Sequence, residues 1–125
     1  MKGTEKMKGT EKMRLQFAYK GYADAKNQVV DEYLAVALTD GNSRNLAEAV
    51  VNFPVLDGKK YVFVHDLFSE KEKWKARLLE KIEDFARKRG YAKVYIRSGK
   101  QEPKFLEEKG FVELPDRGLA EKEMQ

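Results

Sequence analysis

"YVFVHDLFSEKEKWKARLLEKIEDFARKRGYAKVYIRS", residues 61–98, decides how the rest of this 125-residue chain is read. It opens on an apolar run, residues 61–68, that fits a strand buried on both faces. Then Trp74, Leu78, Ile82 and Phe85 recur at helical spacing, with Leu79 and Ala86 widening the stripe and Lys and Glu on the opposite side. Gly90 closes that helix, since a glycine accepts the left-handed conformation a helix end demands. "YAKVYIRS" is the next strand. A long helix between two strands predicts a right-handed crossover that leaves the two strands parallel.

Outward from this unit the pattern is strand-rich. "RLQFAYKG" alternates Leu15, Phe17 and Tyr19 with Gln16 and Lys20, a strand ended by Gly21. "YADAKNQVVDE" predicts a short helix. "EYLAVALTDGNSRNLAEAVVNFPVL" predicts two strands around a turn at Asp40-Gly41, with Pro54 at an edge or bulge near the end of the second. "DGKK" turns the chain into residues 61–68. Pro103 opens a short helix, "PKFLEEK", that Gly110 ends, and "FVEL" is a last strand stopped by Pro115. The final ten residues are polar and are expected to be loose. The predicted architecture is α/β (α+β): a mixed, mostly antiparallel sheet with helices on both faces and one crossover.

The chain is long enough for one domain with a modest core. It holds no run of eighteen apolar residues and no apolar leader, so a cytoplasmic protein without a membrane span is expected. The absence of Cys removes disulfides and thiolate metal sites, and the single His65 argues against an imidazole zinc site. Charged residues make up 37% of the chain, mostly Lys and Glu, a composition that fits a heat-adapted source. The net charge of +4 is small, and Lys alternates with Glu, so nucleic acid is the least favoured partner. The first twelve residues repeat "MKGTEK" in tandem; their four Lys and two Glu supply +2 of that +4. Residues 1–12 are expected to be a disordered tail ahead of a single domain at 13–125.

The stretches "VFVHDLFS", "LLEKIEDFARKRGYAKVYIRS" and "FLEEKGF" resemble the GNAT superfamily of N-acetyltransferases, over about residues 61–114. The resemblance implies two neighbouring parallel strands that splay apart, and acetyl-CoA as the cofactor seated between them. It implies acetyl transfer to an amine, on a small molecule or a peptide. The backbone of Leu67 and Phe68 would pair with pantetheine, and Lys75, Ala76 and Arg77 would hold the pyrophosphate at the helix start. There the unpaired N–H groups and the dipole favour phosphate. His65 and Asp66 are the candidates for the catalytic base; a histidine has the intrinsic pKa to deprotonate an ammonium.

Several positions depart from the family pattern. No glycine stands between Gly58 and Gly90, and the turn before the helix is shorter than usual. Ser69 with Glu72 three residues on is the signature of a capping box, which would consume the donors a pyrophosphate needs. Glu70 and Glu72 oppose phosphate, while Lys71, Lys73, Lys75 and Arg77 offset them; Arg77 could grip a phosphate bidentately. Where many members place a Tyr to protonate the leaving thiolate, this chain has Leu106, beside Phe105. Tyr91 and Tyr95 lie nearby on a strand, where ring packing is the usual role. Trp74, in the first helical turn, is placed to plug the coenzyme space. No nucleophile elbow and no phosphate-binding loop of the Gly-x-x-x-x-Gly-Lys type occurs. Two functions remain open: an acetyltransferase with a degenerate coenzyme turn, and a non-catalytic interaction or dimerisation module, a homodimer included.

Overall fold

The computed structural model describes residues 13–23, 29–42 and 44–124, without the side chains of 18–23 and 29–33. In chain order the elements are β1 (Arg14–Ala23), β2 (Val29–Thr39), β3 (Asn45–Asn52), β4 (Val55–Leu56) and β5 (Lys59–Phe68). Then come α1 (Glu72–Lys88), β6 (Lys93–Arg97), α2 (Pro103–Glu108), β7 (Val112–Leu114) and β8 (Leu119–Glu123). The sheet order is β1-β2-β3-β5-β6-β8-β7, with β4 a short flap on β5. The pair β5–β6 runs parallel, joined through α1, and the other described pairs run antiparallel.

Local chemistry explains most of these joins. The Asp40 carboxylate accepts the N–H groups of Asn42 (2.8 Å) and Arg44 (3.0 Å), which closes the β2–β3 turn as an Asx turn. Those same bonds hold its carboxyl below the usual range. Pro103 fills the first turn of α2, where a missing N–H costs nothing. Gly90, at φ 73°, ends α1 as expected.

One face of the sheet is dry. Val36 and Leu38, Ala47, Ala49 and Val51, Val62, Val64 and Leu67, Val94 and Ile96, and Ala120 are all buried. The strand register brings them to a single face, as in the row Val51, Val64, Ile96 and Ala120. On that face lie Leu78, Leu79, Ile82 and Ala86 of α1 and Phe105 and Leu106 of α2. Lys122, also directed there, bonds Glu83 of α1 at 2.8 Å. Glu83 is buried, and desolvation raises its carboxyl above the ordinary range, with the Lys122 ammonium opposing the shift.

The other face is open. Tyr61, Phe63, His65, Tyr95 and Asn52 are half-exposed along it. So β5 is buried on one face rather than two, and both described helices lie on the same face of the sheet. The expected short helix within residues 22–32 is absent where the chain is described: Tyr22, Ala23 and residues 29–32 are strand, paired up to Ala23 with Val29. Cross-strand pairing along a whole hairpin outweighs the weak local helical preference of this stretch. Residues 24–28 and the repeat 1–12 lie outside the described residues.

The end of the chain corrects a further expectation. Residues 119–123 form β8, inserted between β6 and β7. A turn with Asp116 and Gly118 at positive φ reverses the chain. The charged side chains that make this strand look loose are partnered: Glu121 takes Lys93 at 3.2 Å and Lys122 takes Glu83. Only Ala120 is buried, so the strand carries almost no hydrophobic signal.

Candidate functional site

The site is defined by where β5 and β6 part. Their pairing runs from Tyr61 with Lys93 to Val64 with Ile96 and then stops. Beyond it β5 continues to Phe68 against β3, while Arg97 turns away to Leu119 of β8. A bulge between Val50 and Val51 leaves His65 as the extra residue on β5 at this branch point. Lys60 presents its carbonyl to the β6 side, where Ala92 N–H bonds it at 2.8 Å. Strand alternation, shifted by the bulge, then turns the N–H and C=O of Leu67 toward the same gap.

Both of these backbone groups are engaged. The N–H of Leu67 donates to Oδ1 of Asp66 at 3.0 Å. Its carbonyl accepts from Nε2 of Gln101 at 3.1 Å, and Oε1 of Gln101 accepts from Nζ of Lys75 at 2.9 Å. Gln101 is 7% exposed, so the gap is filled by its carboxamide, braced by Lys75. The Lys75 ammonium also sits 4.4 Å from the centre of the Phe105 ring. Trp74, expected to plug this space, instead lines a cleft of about 390 Å³ on the β3 side, with Arg44, Leu46, Phe68 and Lys71.

The helix entrance also differs from expectation. The N-cap is Lys71, with no side-chain cap, so the Ser69–Glu72 capping box does not form. Ser69 lies two residues too early: its hydroxyl donates to Leu46 C=O at 2.6 Å and accepts the N–H of Lys71 at 3.2 Å. The N–H groups of Glu72 and Lys73 have no acceptor among the described residues.

The remaining candidates separate. Phe68 is 62% exposed. Ala76 packs against the core, and Arg77 pairs with Glu80 at 3.4 Å beside the groove between α1 and α2. Of Lys75, Ala76 and Arg77, only Lys75 reaches the gap. His65 Nε2 lies 2.9 Å from Oδ1 of Asn52, and its ring stacks on Phe63 at 4.4 Å. Tyr95 packs beside Tyr61 and Phe63 on the open face, and Tyr91 packs against Phe53 and Phe85. A second cleft, about 330 Å³, runs along the open face from Asp66 past Glu48 and Val50 to Ala35 and Gln16. Sequence reasoning missed Gln101: a lone Gln before Pro103 carries no pattern, and only the tertiary contact reveals it.

A parallel pair that parts at a bulge, with a helix between its strands and an antiparallel hairpin beyond, is a distinctive arrangement. It is the GNAT fold. Three solved structures carry it. The GNAT family N-acetyltransferase YhbS from Escherichia coli, in complex with CoA, superposes with a TM-score of 0.57 at 15% identity over 74% of this chain and 59% of that one. Tetrahymena GCN5 gives 0.58 at 12% identity, covering 74% and 69%. AtaTR bound with AcCoA gives 0.63 at 12% identity, covering 92% and 95%. The chain therefore spans about three fifths of the length of YhbS. No protein-family model and no curated protein matches the sequence.

Proposed function

We propose that this domain binds a coenzyme A thioester, acetyl-CoA, in the gap between β5 and β6 and transfers the acyl group to an amine. The observation that carries the reading is the branch point. The bulge sets His65 two residues before Leu67, whose backbone amide groups face the gap. A ligand amide can pair with such a strand edge as another strand would. At the nearby entrance of α1, the N–H groups of Glu72 and Lys73 and the ammonium groups of Lys71 and Lys73 favour phosphate. The GNAT-fold structures of YhbS in complex with CoA and of AtaTR bound with AcCoA support the same choice.

In this reading the acceptor approaches along the open-face cleft, where the Glu48 and Asp66 carboxylates attract an ammonium. His65 takes one proton from it as general base, held by Asn52. The free amine attacks the thioester carbonyl, the C–S bond breaks, and the thiolate takes the second proton from nitrogen. Neither Phe105 nor Leu106 offers a hydroxyl for that last step, so water supplies the relay and the rate is modest.

A second reading rests on a different observation: Leu67 already has both of its gap-facing groups bonded, by Asp66 and Gln101. That arrangement suits a non-catalytic module, a homodimer included, using the open face of half-exposed aromatics. Thermal unfolding with millimolar acetyl-CoA separates the two. A ligand that binds only the folded chain raises the midpoint, by about 2.7 kcal/mol of stabilisation at a hundred times its Kd. No shift with acetyl-CoA or free CoA, together with a dimer in sedimentation, establishes the module instead.

A further inference from the structure

The carboxamide of Gln101 donates an N–H to a strand carbonyl at 3.1 Å, the same bond that an incoming amide ligand makes to a strand edge. It comes from outside β5, 34 residues along the chain. It is held at its other end by the Lys75 ammonium, from the second turn of α1. We infer that Gln101 and Lys75 form an internal latch that occupies the coenzyme gap, and that coenzyme binding requires the Gln101 side chain to withdraw. This rests on the coenzyme reading above and adds its regulation.

Three features make the latch displaceable rather than part of the core. Gln101 follows a short 3₁₀ turn, residues 98–100, and its carboxamide is tied by two hydrogen bonds. Each bond is of a kind the ligand can replace: an amide N–H for the Leu67 carbonyl, an anionic oxygen for the Lys75 ammonium. Where it stands, the Lys75 ammonium also lies 4.4 Å from the centre of the Phe105 ring, a favourable contact that does not depend on Gln101. The Leu67 carbonyl is thus bonded in both states, so neither state leaves a buried acceptor unpaired. The latched state lowers apparent affinity by the fraction of molecules that are open.

The test uses the full chain and free coenzyme A, measured by calorimetry. Gln101→Ala should bind CoA at least about tenfold more tightly than the unaltered protein, because the competent fraction rises. In the unaltered protein, the Gln101 side-chain NH2 signals in an NMR spectrum should be slow to exchange with water, and CoA should shift them and speed that exchange. If Gln101→Ala proves poorly folded, Gln101→Met, of similar length and without a donor, reads the same affinity ratio. Equal or weaker binding by the variants than by the unaltered protein overturns the latch and leaves the coenzyme site standing. If neither folded variant nor the unaltered chain binds CoA, the coenzyme reading falls, and the latch with it.

Discussion

Two neighbouring stretches of backbone, residues 66–67 at the end of β5 and residues 69–73 at the entrance of α1, are satisfied in opposite ways. The first is bound by side chains, one of them 34 residues away. The second keeps two helix-entrance donors without an acceptor among the described residues, although a capping motif sits in its sequence. The difference teaches that a cap depends on the register at which a helix starts, and that register is set by packing. α1 begins at Glu72 because Trp74, Leu78 and Leu79 must meet the sheet, which carries Ser69 out of reach.

The packing behind this contrast can be removed outright. Leu78 is fully buried, and Leu78→Ala should cost about 2–5 kcal/mol. Chemical denaturation would read that loss; one below about 1 kcal/mol would mean that contact with the sheet does not fix where α1 starts.

Replacing Gln101 by Leu attacks the first stretch alone. It leaves the buried Leu67 carbonyl without its donor, and about 1–3 kcal/mol should be lost. An unchanged thermal midpoint would show that Gln101 contributes nothing to the folded state.

The entrance is sharpened by a gain. Lys71 occupies the N-cap without a side-chain bond, so Lys71→Ser should stabilise the chain by about 1 kcal/mol. The same change should weaken any CoA binding, because it fills a free N–H. Ser69→Ala should instead lower stability, since it removes the hydroxyl's bonds to Leu46 and to the N–H of Lys71.

The smallest effect is on pH dependence. Burial raises the folded-state pKa of Glu83. The favourable contribution of a raised carboxyl is complete below its unfolded pKa and is lost as pH rises through the folded one. Glu83→Gln should therefore flatten the stability profile above the ordinary carboxylate range. Asp40 works in the other direction: its lowered pKa supports the fold above the unfolded value, and that support fades as pH falls through the folded one. Denaturation midpoints across a pH series would show both slopes.

Residues 61–114 were legible because their signals are local and redundant. Helical periodicity from Trp74 to Ala86, Gly90 at its end, and Pro103 and Gly110 around α2 each name one conformation. Residues 22–23, 29–32 and 119–123 were misread because their strand character lies in cross-strand partners, not in composition. Of the site residues, His65 and Leu67 fall at the branch point. Lys75 reaches the gap by a different route from the one expected, and Arg77 turns aside to Glu80.

By itself the sequence determined the crossover unit, the strand pair it joins and the apolar stripe by which α1 meets the sheet, because burial of apolar surface follows periodicity. Only the tertiary structure decided which donors stay open and which are closed. A hydrogen bond is a matter of a few tenths of an ångström between groups brought together from distant parts of the chain, and no spacing along the sequence encodes that distance.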